Sequence, residues 1–446
     1  MRELFYPRSV AVIGASRNKG KVGYAILENL KLNFKGKVYP VNPNAREILG
    51  LKCYSSVLDI EDDVDLAVIC VRADLVPGIV EECGKKGVKV AVVISAGFSE
   101  VGNRELEERL IEAARKYGVR VVGPNCIGVV NNENGLSTLF SDPEKFKMPE
   151  NGNIAFVSHS GALGLAVMDK FAEMQVGVNK FASIGNRVDI DESDLLEYFS
   201  RDKRVGVVAM YIEGVRNGRK FFNALKKCSK RKPVVVLKAG KTEQGKRAAF
   251  SHTASLAGSY EVYRGVFKQA NAVEARDLEE LMDYVKVFSY YKKVSGRRVA
   301  IVTNGGGFGI IATDEAVNEG LELACFEKKS VDKLKKLLPE HCVVSNPLDL
   351  TGDADAYRYE LALRVLEKDK NVDVICVICL LQLATVGREI VHVLTRGYKK
   401  PIVACVGGSA YSIKIVKELQ KRGIPVYPTP HRAIKAIRAL CEYSEG

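Results

Sequence analysis

The chain has 446 residues, 47% hydrophobic and 27% charged, a composition that excludes a low-complexity or disordered protein and leaves room for roughly two to four domains. Its net charge of +13 arises from 67 basic and 54 acidic residues dispersed along the sequence without a nucleic-acid motif, so a polyphosphate ligand or an acidic partner chain is expected and nucleic acid is not. No apolar run reaches membrane-spanning length and Met1-Arg2-Glu3-Leu4-Phe5-Tyr6 lacks a signal-peptide core, so a cytoplasmic protein with no membrane partner is expected.

Short apolar strands alternating with amphipathic helices predict α/β domains built on doubly wound parallel sheets. The first segment, residues 1–140, has predicted strands at Ser9–Ile13, Lys37–Val41, Leu66–Ile69, Ala91–Ile94 and Arg120–Val122. After the first strand, Gly14-Ala15-Ser16-Arg17-Asn18-Lys19-Gly20-Lys21-Val22-Gly23 opens a helix, a place that cradles phosphates. It departs from the dinucleotide fingerprint at Ala15-Ser16. The second strand runs into Val41-Asn42-Pro43-Asn44, where a nicotinamide enzyme would place an acid for the ribose. Ser16, Arg17, Lys19 and Lys21 suit a more phosphorylated nucleotide instead. Later strands lead into Val71-Arg72, Ser95-Ala96-Gly97-Phe98 and Gly123-Pro124-Asn125-Cys126-Ile127-Gly128. Asn125 is either an amide donor to a reacting carbonyl or a turn residue after Pro124. Cys126 has no base nearby in sequence and is not expected to be a nucleophile.

Residues 141–152, with Pro143, Pro149 and Gly152, read as a linker; 153–291 form the second segment, 292–297 a basic joint and 298–446 the third. In the second segment a strand leads into Ser158-His159-Ser160-Gly161-Ala162. A later strand ends at Glu213, either a carboxylate able to orient an imidazole or an ordinary solvated acid. Next comes Ser251-His252-Thr253-Ala254-Ser255-Leu256-Ala257-Gly258, where one of only five histidines sits among small residues with no packing reason. Imidazole can accept and release a phosphoryl group, and such a loop lets it travel; the alternative is a surface loop with an incidental histidine. The cysteines sit largely in apolar runs and read as small buried hydrophobes; Cys376 and Cys379 point to opposite faces of a predicted strand, so no metal site is expected.

The second and third segments read as copies. Residues 154–164 align with 299–309 without a gap, so that Thr303-Asn304-Gly305-Gly306-Gly307 answers Ser158–Ala162. Further on, Gly185–Asp189 resembles Ser345–Asp349, and Pro233–Val236 parallels Pro401–Ala404. Each copy presents a helix N-terminus suited to an anion. Glu213 and the His252 loop occur in the first copy only.

Together these motifs resemble the α subunit of the ADP-forming acyl-CoA (acetyl-CoA) synthetases, in the succinyl-CoA synthetase superfamily. The resemblance runs through Gly14-Ala15-Ser16 with Lys21-Val22-Gly23, Gly123–Cys126, Ser158–Ala162, Glu213, Ser251–Ser255 and Thr303–Gly307. It implies a Rossmann-like CoA-binding domain followed by two similar flavodoxin-like domains. CoA would be held by Gly14, Ala15, Ser16, Lys21, Val41, Asn42, Pro43, Val71, Ala96, Gly97, Asn125 and Cys126. His252 would be the phosphohistidine and Glu213 its steadying carboxylate. Phosphate would rest on Ser158, Ser160, Gly161, Ala162, Asn304, Gly305, Gly306 and Gly307, the two helix ends converging on one phosphoryl group. No ATP-grasp module is legible, so the resemblance implies a separate β subunit that binds magnesium and ADP or ATP, in an α2β2 heterotetramer acting on a small carboxylic acid or its acyl-CoA. The alternatives are a non-catalytic CoA-sensing protein derived from this family, which would bind CoA without being phosphorylated, and a nicotinamide dehydrogenase, which an NADH titration would reveal.

Overall fold

A computed structural model describes residues 1–247, 259–408 and 410–446. The chain divides into two compact units, Met1–Glu274 and Ala275–Gly446.

The first unit begins with a five-stranded parallel sheet ordered Lys37–Val41, Ser9–Ile13, Leu66–Ile69, Val90–Val93, Arg120–Val122. Its central strands are buried on both faces, which is why they read as unbroken apolar runs. Alternation sorts them: Val10 and Val12 pack with Ile26, Leu27 and Leu30 of helix Val22–Asn33. Ala11 and Ile13 pack with Val76, Val80, Leu106 and Leu110 of helices Val76–Lys86 and Arg104–Tyr117 on the other face. The second sheet is ordered Val273–Ala275, Val234–Lys238, Val207–Ile212, Ile154–Ser158, Val178–Ser183, and ends in the antiparallel strands Val129–Asn131 and Leu136–Ser137. That hairpin precedes the 141–152 stretch in sequence, yet Val129 pairs with Ala182 and Val130 with Phe181. One hydrophobic cluster therefore runs from Leu4 to Ala272, through both sheets.

The second unit carries a parallel sheet ordered Glu322–Leu323, Arg298–Thr303, Val374–Leu380, Ile402–Gly407, Val426–Tyr427, with Leu348–Asp349 also paired to Arg298–Thr303. Helix Leu278–Tyr290 packs on helix Pro430–Glu445, and Lys286 Nζ donates to the Val426 carbonyl at 2.7 Å. Leaving aside Leu348–Asp349, which lies off the main path of the third sheet, the parallel strands of each of the three sheets follow the order 2-1-3-4-5. This is a doubly wound arrangement whose direction reverses beside the first strand, opening a crevice at the C-terminal strand ends. Among the described residues no helix is long and apolar enough to cross a membrane, and no group of three or more His, Cys, Asp or Glu is placed to hold a metal ion.

Candidate active site and its relatives

The loops expected to hold CoA meet at the C-terminal edge of the first sheet. Gly14 leaves the first strand with φ +94, and a Cβ there would lie 2.5 Å from the Cys70 carbonyl oxygen, so only glycine fits. Gly23 lets the following helix close on this turn, since its Cβ would stand 2.0 Å from Gly14 O. Asn42 Nδ2 donates to Ala15 O at 2.7 Å, Ser95 Oγ to Val71 O at 2.6 Å, and Asn125 N–H to Ser95 O at 2.9 Å. The five loops are thus tied in two groups, the Gly14 loop with Asn42 and the Ser95 loop with Val71 and Asn125. Lys21 and Pro43 are exposed and Val41 is buried. Asn125 takes φ 57, which an asparagine tolerates, and Nδ2 donates to Asn186 Oδ1 at 3.4 Å. Cys126 is buried, and burial pushes its thiol up to about 12.

In the second sheet, helix Gly161–Glu173 starts at Ser160, whose side chain does not cap the first-turn N–H groups. Helix Gly306–Asn318 starts the same way at Gly305. Ala162, Gly306 and Gly307 are exposed. Ser158 and Asn304 are buried; Ser158 Oγ donates to Ser160 O at 2.6 Å, and the Asn304 side chain is engaged with the backbone of Leu380. His252 lies outside the described residues.

Glu213 is buried at the end of strand Val207–Ile212, and its N–H donates to His159 Nδ1 at 3.0 Å. With Nδ1 accepting, the imidazole proton sits on Nε2, 3.4 Å from Glu192 Oε2. Burial, aided by the Arg187 charge, lowers the His159 pKa and keeps the ring neutral. Burial would raise the Glu192 carboxyl, but the His159 hydrogen bond and the Arg187 guanidinium outweigh it and hold that group low. Burial and Glu213 together push the Tyr211 hydroxyl up to about 12. Lys238 Nζ donates to Glu213 O at 2.8 Å and also to Ala239 O, and burial pushes this ammonium down to about 8. Asn186 Nδ2 donates to Glu100 Oε2 at 2.6 Å, while Glu100 Oε1 accepts from Gly97 N–H at 2.5 Å.

His159, Arg187, Glu192 and Lys238 do not stand out as site residues in the sequence. His159 was within the glycine-loop motif, and a lysine at a strand end looks like a solvated charge. The one available signal was comparison of the copies. The two sheets share a register, Ser158 pairing with Tyr211 as Thr303 does with Ile378. Tyr211 then pairs with Leu237 and Ile378 with Cys405. Pro233 therefore matches Pro401 as expected, and Lys238 matches Val406. The Gly185 alignment needs correction. Ile184 N–H donates to Ser158 O at 3.0 Å and Leu350 N–H to Thr303 O at 2.8 Å, so Gly185 matches Thr351 rather than Ser345. Both take positive φ, 49 and 64.

A family profile described as CoA binding domain matches residues 8–132, one described as Succinyl-CoA ligase like flavodoxin domain matches 151–288, and one described as Ligase-CoA domain matches 299–442. The chain is 46% identical over 452 residues to an ADP-forming acetate–CoA ligase of Methanocaldococcus jannaschii, covering 100% of this chain and 63% of that protein. It thus spans under two thirds of that relative's length. It is 42% identical over 463 residues to the alpha subunit of ADP-forming acetate–CoA ligase I of Pyrococcus furiosus, covering 100% of this chain and 98% of the subunit. A solved structure, the dinucleotide-forming acetyl-coenzyme A synthetase 1 of Ca. Korarchaeum cryptofilum in complex with phosphate and ADP, superposes with a TM-score of 0.94 at 41% identity, over 100% of this chain and 97% of that one. With likeness that runs nearly the whole length of the Pyrococcus subunit, the chain belongs to the family of ADP-forming acetate–CoA ligase α subunits.

Proposed function

We propose that the chain is the α subunit of an ADP-forming acyl-CoA synthetase, converting acyl-CoA, ADP and phosphate reversibly to a carboxylic acid, ATP and CoA. Phosphate displaces CoA from the acyl-CoA to give an acyl phosphate. His252 attacks the phosphorus and releases the carboxylate, and the phosphohistidine then passes its phosphoryl group to ADP. The loops around Gly14, Asn42, Val71, Gly97 and Asn125 hold CoA. Ser160, Gly161 and Ala162 seat the phosphoryl group at a helix N-terminus, with Gly305, Gly306 and Gly307 offering a second seat. Glu213 orients the imidazole of His252. A separate β subunit with an ATP-grasp domain supplies magnesium and the nucleotide, in an α2β2 assembly. Eleven free cysteines agree with a reducing, cytoplasmic setting.

The observation that supports this reading best is Glu213 itself. A buried carboxylate stands beside an uncapped helix in the one copy whose sequence also holds the histidine loop. The test is intact mass under neutral conditions after incubation with the β subunit, magnesium and ATP. An acid-labile phosphoryl adduct absent from His252→Ala is expected. An unmodified wild-type chain that still binds CoA would favour a CoA-sensing regulator.

A further inference from the structure

The segment Glu213-Gly214-Val215 is held by side chains at four backbone groups. His159 Nδ1 accepts the Glu213 N–H at 3.0 Å, Lys238 Nζ donates to Glu213 O at 2.8 Å, Arg187 Nη1 donates to Gly214 O at 2.5 Å, and Tyr263 Oη accepts the Val215 N–H at 3.0 Å. The holders come from four separate elements, and all are buried. They are tied in pairs: Glu192 Oε2 lies 3.4 Å from His159 Nε2 and 3.5 Å from Arg187 Nη1, and Lys238 Nζ lies 4.7 Å from the centre of the Tyr263 ring.

Burying such charges is costly, and the fold does not require it. The second copy shows the alternative. There the Asn304 side chain takes the Leu380 N–H at 2.9 Å and donates to the Leu380 carbonyl at 3.3 Å, and Val406 stands in the register place of Lys238. A neutral amide and an apolar side chain suffice where the strand ends in leucine. The charged set accompanies the carboxylate. We infer that His159, Arg187, Lys238 and Tyr263 are positioning residues, which set the Glu213 carboxylate for phosphoryl transfer by fixing its backbone. The inference rests on the role proposed for Glu213.

The test combines hydrogen exchange on the full chain with turnover in the presence of the β subunit, for His159→Leu, His159→Asn, Lys238→Met, Glu213→Gln and the double variant Glu213→Gln/His159→Leu. His159→Leu and Lys238→Met are expected to speed exchange across residues 211–216 by at least about tenfold. They should lower kcat by about 30-fold or more with the CoA KM within about twofold. His159→Asn, which restores the acceptor that Asn304 provides, should bring both readouts back to within about threefold, and the double variant should be no slower than Glu213→Gln alone. Unchanged exchange in both single variants, or a double variant slowed by the product of the single effects, would overturn the inference. Absence of phosphorylation in the wild type would refute the proposed function separately, and the exchange measurements would still decide whether the clamp holds.

Discussion

Glu213 and Leu380 occupy equivalent points of two matching sheets, and their N–H groups are taken by the equivalent residues His159 and Asn304 at 3.0 and 2.9 Å. The scaffold is shared; the charge is not. In the second copy Leu380 closes over the glycine loop, so that a Cβ on Gly305 would lie 2.5 Å from Leu380 Cδ1. The first copy keeps a carboxylate at that point.

Glu213→Gln preserves shape and removes the charge. Turnover with the β subunit should fall by about 100-fold or more, with little change in melting temperature. Turnover within a few fold of wild type would remove Glu213 from the mechanism.

Gly23→Ala places a methyl group 2.0 Å from Gly14 O, whereas a Cβ on Gly20 meets nothing within 4 Å. The Gly23 variant should lose about 1–3 kcal/mol of stability to overpacking and bind CoA at least about tenfold more weakly. Gly20→Ala, at φ +89, should cost about 1 kcal/mol of backbone strain and leave CoA affinity within about threefold. Calorimetric titration with CoA and thermal melts check both.

The neutral His159 makes stability depend on pH. Burial lowers its pKa in the folded chain, while in the unfolded chain it titrates near about 6.5. Between those values the unfolded state binds more protons, so this contribution is full above about pH 6.5 and declines as pH falls. The melting temperature of wild type relative to His159→Asn should therefore drop between pH 7.5 and 5.5. A constant difference across that range would show that the ring is not held neutral.

All eleven cysteines are free, and Cys325 is the exposed one. Burial pushes the thiols of Cys70, Cys83 and Cys126 up to about 12, so little thiolate forms at neutral pH. Iodoacetamide should label Cys325 first. Peptide mapping that found Cys126 labelled as fast as Cys325 would contradict its burial.

Much of the architecture was legible from local pattern. Strands buried on both faces are unbroken runs of Val, Ile and Ala, and the loop after each one marks the sheet edge where ligands bind. The glycine loops at Gly14, Gly161 and Gly306 and the duplication of 154–164 in 299–309 could be read directly, because these features depend on neighbours a few residues apart.

The sequence by itself determined the sheet class, the crevice loops, the burial of most cysteines and the isolation of Glu213 to one copy. Only the tertiary structure decided that the hairpin Val129–Ser137 extends the second sheet, that Gly185 answers Thr351, and that four side chains grip the Glu213 segment. Those contacts join residues 54, 25, 27 and 48 positions apart. Spacing and periodicity report which face a side chain takes. They do not report which distant backbone group it meets, because that is set by sheet register and packing once the chain has closed.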